Sequence, residues 1–145
     1  MPSATNAVLE HLRAKGYRIT VARRHILGLF GDRCEPLSAQ DVHTKLQKKG
    51  ITANQTTAYR ELAFLAEQGI LRTVQLHDGV LRYELASAPH HHHVICVDCK
   101  TVQEIHADHD LSAMERAIGK KTGFSVLHHA LEFFGRCAGC TKRKA

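Results

Sequence analysis

Apolar residues recur at helical spacing in the first 50 residues of the chain. The first apolar stretch predicts a short amphipathic helix that stops at Gly16, and Thr20 can cap a second helix. Ser38 is followed three residues later by Asp41, a pair typical of the start of a helix, and this third helix is expected to end near Gly50. The pattern therefore predicts that the chain begins with packed helices.

A fourth helix is predicted from Gln55 to Gln68, with Gly69 as its C-terminal stop. Its apolar positions recur at i, i+4, i+7 and i+8 and define one buried face: Ala58, Leu62, Leu65 and Ala66. The opposite face carries polar residues near the start of the helix: Thr56, Thr57 and Arg60. This polar face is available for a partner outside the core.

Two alternating segments, LRTVQL and VLRYEL, flank the short tip formed by His77, Asp78 and Gly79. Alternation on both sides of a turn predicts a β-hairpin. Helices followed by a two-stranded wing form a winged helix-turn-helix, and its fourth helix would enter the major groove of DNA. The first half is therefore expected to bind double-stranded DNA.

The composition changes after Leu85, where the segment ASAP is interpreted as a linker. HHHHVICVDCKTVQEI predicts strands around a CxxC turn, residues 111–122 predict a helix ended by Gly123, and SVLHHALEFFG predicts another strand. The tail TKRKA has no apolar anchor and is expected to fray. This half has too little core to be stable alone, so a metal or a partner chain should stabilise it.

These patterns predict an α+β protein with two domains. Residues 1–85 form the winged-helix DNA-binding domain, residues 86–89 the hinge linker, and residues 90–145 a small α/β domain for metal binding and dimerisation. The hydrophobic content of 43% is enough for a packed core, and no apolar run approaches the length of about 18 residues that would span a membrane. The formal net charge of +6 permits nucleic-acid binding without demonstrating it.

Four of the five cysteines form two CxxC motifs, Cys96 with Cys99 and Cys137 with Cys140. The N-terminal segment lacks the apolar core of a secretory signal, so a reducing cytoplasm is expected, where paired cysteines favour metal binding over disulfides. Two CxxC turns supply the four soft ligands of a closed tetrahedral zinc site. The alternatives are a redox motif or two disulfides, but neither CxxC is expected to open a helix after a buried strand, as a thioredoxin motif requires. Cys34, in a polar loop, is interpreted as a free thiol.

The run His90–His93 predicts ligands for two different sites. In a strand, alternate residues face opposite sides, so His91 and His93 would point one way and His90 and His92 the other. A solvated polar run is the alternative interpretation. Carboxylates that could complete metal sites lie on both sides of the run: Glu84, Glu104, Asp108 and Asp110.

Several stretches, taken in this order, resemble the ferric uptake regulator superfamily: GYRIT–ARRHIL, LSAQDVHTKL, TTAYRELAFLAEQGIL, HHHHVICVDC and HHALEFFGRCAGC. The resemblance extends from Gly16 to Cys140, nearly the whole chain. It implies a homodimeric transcriptional repressor that binds operator DNA when it is loaded with a co-repressor metal, and that is neither an enzyme nor a membrane protein.

The resemblance also implies roles for individual residues. The four paired cysteines match structural zinc ligands. The regulatory metal at the hinge is implied to bind four residues: Glu84, His91, His93 and Glu104. A further dimerisation-domain site is implied at His90, His92 and His129. DNA contacts are implied for Arg18, toward the minor groove, and for Tyr59 and Arg60 in the recognition helix. Thr56 and Thr57, on the polar face of that helix, are predicted to contact DNA as well.

Three positions depart from the pattern of this family. Pro36 stands where iron and peroxide sensors usually carry a histidine, and Glu84 lies where zinc sensors often place a cysteine. The carboxylate of the dimerisation-domain site falls at Ser112, so Asp110 or Asp108 would have to replace it.

The identity of the regulatory metal is predicted from the branch of the family. SAQDVH and the unbroken histidine run look most like the zinc uptake regulator branch, since iron sensors more often place an aspartate where His92 stands. Zinc is therefore preferred to iron(II) or manganese(II) as the regulatory metal. The alternative within the family is a regulator that responds to iron(II), to manganese or to peroxide.

Two other classes of protein remain to be weighed. A zinc hydrolase could use Glu104 as its base, but the chain has no HExxH motif and its recognition helix would be idle. A zinc-storage or chaperone protein would not need a winged helix.

Overall fold

The computed structural model describes residues 4–31, 35–106 and 111–144. The chain divides into two compact units, Met1–Ala88 and Pro89–Ala145. The described part of the first unit contains these helices and strands in chain order: α1 (Ala4–Ala14), α2 (Val21–Leu29), β1 (Leu37–Ser38), α3 (Ala39–Lys48), α4 (Gln55–Glu67), β2 (Leu71–Gln75) and β3 (Leu81–Leu85). Along the described residues, no helix has both the length and the apolar character needed to cross a membrane.

The core of the first unit is formed by the apolar faces of its four described helices. One side chain from each helix is completely buried: Leu12 in α1, Ile26 in α2, Leu46 in α3 and Leu62 in α4. Ala58 and Leu65 extend the buried face of α4, as their helical spacing predicts. This packing leaves the opposite face of α4 outside the core.

Side chains cap these helices where the sequence indicates. The hydroxyl of Thr20 accepts a hydrogen bond from the Arg23 amide at 3.1 Å. Ser38 and Asp41 form a reciprocal capping box at the start of α3. Asn54, which was not among the predicted caps, accepts from the Thr57 amide at 2.8 Å and begins α4.

The predicted wing is present as an antiparallel hairpin, in which Leu71 of β2 pairs with Leu85 of β3. A third strand, β1, adds to the other edge of β3 through the pairing of Leu37 with Tyr83. The prediction missed β1 because a two-residue strand is too short to show alternation. The first unit is a winged helix-turn-helix, as predicted.

The second unit is built around a mixed three-stranded sheet. Its described elements are β4 (His92–Cys96), β5 (Val102–Ile105), α5 (Ser112–Thr122), β6 (Glu132–Gly135) and α6 (Ala138–Lys144). The strand order is β5-β4-β6, with β4 antiparallel to β5 and parallel to β6. Gly123 ends α5 in the left-handed conformation at φ +77°, as its position predicts.

Two strand predictions in this unit were too long. The strand of the histidine run begins only at His92, so His90 and His91 precede it. SVLHHALEFFG forms a strand only at β6, and His129 lies in the irregular segment before that strand. Apolar residues outside a strand explain the second error, because Leu127 and Leu131 are exposed in this unit rather than packed on the sheet.

The prediction of a frayed tail was wrong through Lys144, because α6 continues to that residue. The Lys144 ammonium donates to the Asp98 carboxylate at 3.2 Å, and the Arg136 guanidinium donates to the same carboxylate at 2.9 Å. Asp98 lies in the first CxxC turn, so these contacts tie the tail to that turn. They replace the apolar anchor that the tail lacks.

The expectation that neither CxxC opens a helix after a buried strand agrees with the structure, although the second CxxC does lie at the start of a helix. Cys137 immediately precedes α6, and two residues, Arg136 and Cys137, separate α6 from β6. However, β6 is mostly exposed, unlike the buried strand of a thioredoxin motif.

Candidate metal centres and DNA-facing helix

The two CxxC motifs bring four sulfur atoms together in the second unit. Cys96, Cys99, Cys137 and Cys140 are all free thiols, and their Sγ atoms lie within 4.8 Å of one another. Four sulfurs placed about 2.3 Å from a central zinc ion are separated by about 3.8 Å in a tetrahedron. The Sγ atoms of Cys99 and Cys137 are 3.8 Å apart, far beyond a disulfide bond. The cluster therefore fits a tetrathiolate zinc site.

The four thiols differ in how readily they lose a proton. The backbone amide of Cys137 donates to the Cys96 sulfur at 3.4 Å and lowers the pKa of Cys96 to about 6. A hydrogen bond with the Thr101 hydroxyl lowers the pKa of Cys99. Burial raises the pKa of Cys140 to about 12. A metal would displace the Cys140 proton, because thiolates are the form that binds.

His91 and His93 bring two ring nitrogens together, as their alternation predicts. Their Nε2 atoms are 3.2 Å apart, close to the spacing of about 3.3 Å for two nitrogens bound to one tetrahedral zinc ion. His91 Nδ1 lies 2.7 Å from the Pro89 carbonyl oxygen. A carbonyl can only accept, so Nδ1 is the donor, and a neutral His91 presents the lone pair of Nε2 toward His93.

Glu104 places a carboxylate beside the His91 ring. Its Oε1 atom is 3.8 Å from His91 Nδ1 and 2.6 Å from His106 Nε2. This oxygen is buried, and it makes no well-formed hydrogen bond with any residue in the described ranges. A buried carboxylate oxygen among imidazoles is well suited to a divalent cation. His106 was missed by the sequence interpretation, although it lies two positions from Glu104 and therefore on the same side of the extended chain.

A second histidine cluster is formed by His90, His92 and His129, whose ligand nitrogens lie within 4.8 Å of one another. The ring centroid of His90 is 4.8 Å from that of His92 and 5.0 Å from that of His129. Burial lowers the pKa of His92, and the neighbouring imidazoles lower it further. His92 is therefore neutral at physiological pH, which is the state that binds a metal.

The remaining candidate residues are Glu84, in the first unit, and three residues outside the described ranges. Glu84 belongs to the first unit, where it accepts a hydrogen bond from the Arg72 guanidinium at 2.6 Å. Cys34, Asp108 and Asp110 lie outside the described residues, so the predictions made for them stay predictions.

The polar face of α4 presents the residues predicted to contact DNA. Tyr59 is 53% exposed, and Thr56 and Arg60 are also exposed. Thr57 has a local role, since its hydroxyl donates to the Asn54 side chain at 2.9 Å. Arg18 is exposed in the segment between α1 and α2.

A buried ion pair fixes this helix against α2. The Arg23 guanidinium donates to both carboxylate oxygens of Glu61, at 2.8 and 3.2 Å, and to the Arg18 carbonyl oxygen at 2.6 Å. It also stacks over the Phe64 ring, 4.1 Å from the centroid. Arg23 therefore holds α4 and the backbone of Arg18 in fixed positions within the first unit. No periodic pattern of residues indicated this role of Arg23.

A winged helix joined in one chain to clusters of thiols and imidazoles defines a class of protein: a metal-binding transcription regulator. The profile of the ferric uptake regulator family matches residues 14–134. The chain is 34% identical over 133 residues to the ferric uptake regulation protein of Neisseria meningitidis, covering 91% of this chain and 92% of that protein. It is 34% identical over 129 residues to the zinc uptake regulation protein of Mycobacterium tuberculosis, covering 89% and 98%.

Solved structures agree with this relationship. The ferric uptake regulator of Francisella tularensis, determined with iron, superposes with a TM-score of 0.73 at 30% identity, covering 87% of this chain and 96% of that one. The chain belongs to the ferric uptake regulator family. The expectation of a transcription regulator rather than an enzyme is thereby confirmed, and so is the predicted fold.

Proposed function

We propose that this protein is a zinc-responsive transcriptional repressor of metal-uptake genes that acts in the cytoplasm as a homodimer on operator DNA. Residues 1–85 bind the DNA, residues 86–89 form the hinge, and residues 90–145 bind metal and dimerise. The observation that carries the proposal is the approach of the His91 and His93 Nε2 atoms to 3.2 Å, beside the buried Glu104 oxygen. This arrangement suits a divalent metal that is not the structural zinc.

The proposed regulatory site contains His91, His93, Glu104 and Glu84. The assignment of Glu84 rests on the family resemblance and on its position before the linker. A metal bound to residues on both sides of residues 86–89 would restrict the hinge and fix the angle between two recognition helices of a dimer. The metal-bound and DNA-bound states would then favour the same conformation. This linkage would make the repressor responsive to metal.

The dimer is supported by the apolar surface of the second unit. Several large apolar side chains are more than one-third exposed there: Met114, Ile118, Phe124, Leu127, Leu131, Phe133 and Phe134. Apolar side chains so exposed in a small unit are typical of a surface that a partner chain covers. A two-fold dimer would present two copies of α4, so the operator should be a pseudo-palindrome.

Zinc is supported over iron(II) and manganese(II) by the chemistry of the ligands. Both histidine clusters are rich in imidazole, which suits zinc, while oxygen-rich sites suit manganese. The relative from Mycobacterium tuberculosis is a zinc uptake regulation protein, which agrees with this choice. Iron is the second candidate, because Glu104 adds oxygen to the site and the relative from Neisseria meningitidis is a ferric uptake regulation protein.

The proposal is tested by titrating operator binding against buffered zinc, iron(II) and manganese(II). The operator is selected from random DNA by the metal-loaded protein. We expect zinc to induce binding at the lowest free concentration, and chelation to abolish it. Loss of a residue that only orients a metal ligand commonly weakens metal binding by about 10–100-fold. Loss of the ligand itself in His93→Ala should therefore raise the zinc concentration needed for operator binding by at least that factor. His93→Ala should still retain the tetrathiolate zinc and the dimer.

The matched control is His11→Ala, which removes an exposed imidazole from α1. Operator binding by His11→Ala should depend on the free zinc concentration as it does in the native protein. Operator affinity independent of every metal would refute the sensor proposal. Induction by iron(II) at the lowest free concentration would leave the repressor but replace the metal.

A further inference from the structure

Glu115 is a carboxylate that the metal-site assignments above do not use. It lies on α5, and its Oε1 atom is 2.7 Å from His129 Nδ1. A carboxylate at this distance accepts a hydrogen bond from the Nδ1–H group. His129 is thus held in place by a residue from another element of the same unit.

The other ring nitrogen of His129 has no such partner. His129 Nε2 is buried and makes no hydrogen bond with any residue of the described chain. The ring of His129 is 5.0 Å from that of His90 and 5.5 Å from that of His92. With the proton on Nδ1, a neutral His129 presents the lone pair of Nε2. A buried lone pair beside two more imidazoles is what a metal ion would satisfy.

We propose that Glu115 is the positioning residue of a three-histidine metal site formed by His90, His92 and His129. It accepts the Nδ1 proton of His129, selects the tautomer, and thereby directs Nε2 toward the metal. Carboxylates that orient ligand histidines in this way are frequent partners of metal sites. The inference rests on the proposed function only in taking the histidine cluster as a metal site.

The placement of Glu115 on α5 explains how it can serve the site. Ser112, the position that the family resemblance assigned to a carboxylate, lies three residues earlier on the same helix. Residues three apart share one helix face, so Glu115 presents a carboxylate from the same face, one turn further along. From there its contact is with His129 Nδ1, which leaves Nε2 for the ion.

The experiment uses the full-length protein with its tetrathiolate zinc in place, and cobalt(II) and zinc as probes. Glu115→Ala should weaken binding to the three-histidine site by about 10–100-fold. At saturating cobalt(II) the visible spectrum should keep the coordination of the native site. His129→Ala should lose that metal equivalent entirely. Arg116→Ala, the next and exposed residue of α5, is the matched control and should bind like the native protein.

A second measurement needs no variant that could fail to fold. The ring nitrogen shifts of His129, in native protein that carries only its tetrathiolate zinc, should report a proton on Nδ1 and none on Nε2. A proton on Nε2 would overturn the proposal, as would an unchanged affinity of Glu115→Ala. A change in cobalt coordination in Glu115→Ala would also overturn it, because Glu115 would then be a ligand. Unchanged metal stoichiometry in His129→Ala would reject the site itself, while leaving the regulatory site at His93 untouched.

Discussion

The four thiols of the second unit show how single residues prepare a metal site. Amide and hydroxyl donors lower the pKa of Cys96 and Cys99, whereas burial raises the pKa of Cys140. Without a metal, the buried Cys140 thiol would stay protonated near neutral pH, and the cluster would lack one of its four thiolates. A zinc ion bound to the four sulfurs would supply the positive charge that stabilises all four thiolates together.

Replacing Cys96 with serine should therefore unfold or monomerise the second unit rather than only weaken metal sensing. Structural zinc contributes on the order of 10 kcal/mol to the folding of small domains, and whole domains are stable by only about 5–15 kcal/mol. Zinc content, thermal unfolding and size-exclusion chromatography measure the effect. Val97→Ser, in the same turn and exposed, is the matched control. A folded dimer of Cys96→Ser with full metal response would disprove the structural role.

Arg60 carries the second prediction at this scale, since it lies on the exposed face of α4 beside Tyr59. Arg60→Ala should weaken operator binding by about 1–3 kcal/mol if the guanidinium contacts a base edge. A contact with phosphate alone would weaken binding to random DNA equally and reduce the salt slope by about one. Lys48→Ala removes an exposed charge from α3 and should change neither. Unchanged operator binding by Arg60→Ala would show that Arg60 is only a solvated helix residue.

Helix α4 depends on one buried ion pair for its position. Arg23 is held by Glu61, by the Arg18 carbonyl oxygen and by the Phe64 ring, so removal of Glu61 leaves a guanidinium mostly buried with one partner fewer. Breaking a buried pair from one side costs more than the pair contributes, because the remaining charge stays desolvated.

Glu61→Ala should accordingly lower the free energy of unfolding of the protein by about 3–5 kcal/mol. Chemical denaturation measures this change, and Glu67→Ala provides an exposed carboxylate on the same helix as the control. A loss smaller than about 0.5 kcal/mol, the range of ordinary surface substitutions, would contradict the anchoring role.

Local rules predicted those elements whose signals lie within a few residues. The capping pair Ser38–Asp41, the stop at Gly69 and the wing hairpin all follow from short-range chemistry. The errors arose where contacts distant in sequence decide the structure. The tail became helical because Lys144 reaches Asp98, 46 residues away, and β1 forms only because β3 offers an edge.

The candidate sites divide in the same way. Spacing alone grouped the four cysteines, and alternation paired His91 with His93 even though the strand begins at His92. Neither spacing nor alternation indicated Glu115, because its contact with His129 depends on how α5 packs beside the segment before β6. Arg23 was missed for a similar reason, since its partner Glu61 lies 38 residues away on another helix.

At the scale of the whole molecule, sensing requires that metal and DNA favour one conformation. If zinc raises operator affinity by some factor, operator DNA must raise zinc affinity at the regulatory site by the same factor, because the two ligands are linked through one equilibrium. A titration of operator with and without zinc, and a titration of zinc with and without operator, must therefore give the same factor. Allosteric factors of this kind commonly lie between about 5 and 150.

Glu84→Ala should reduce this shared factor. The carboxylate belongs to the DNA-binding half, so its loss would leave His91, His93 and Glu104 to bind zinc without joining that half to the metal. We expect zinc to bind the free protein with a modest loss of affinity, while the gain in operator affinity on adding zinc falls toward one. Calorimetric zinc titrations with and without operator measure one side of the linkage, and fluorescence anisotropy of labelled operator at two buffered zinc levels measures the other. Glu67→Ala should keep the native factor in both. A Glu84→Ala protein that retains the full factor would show that the hinge is restricted by something other than a metal bond to Glu84.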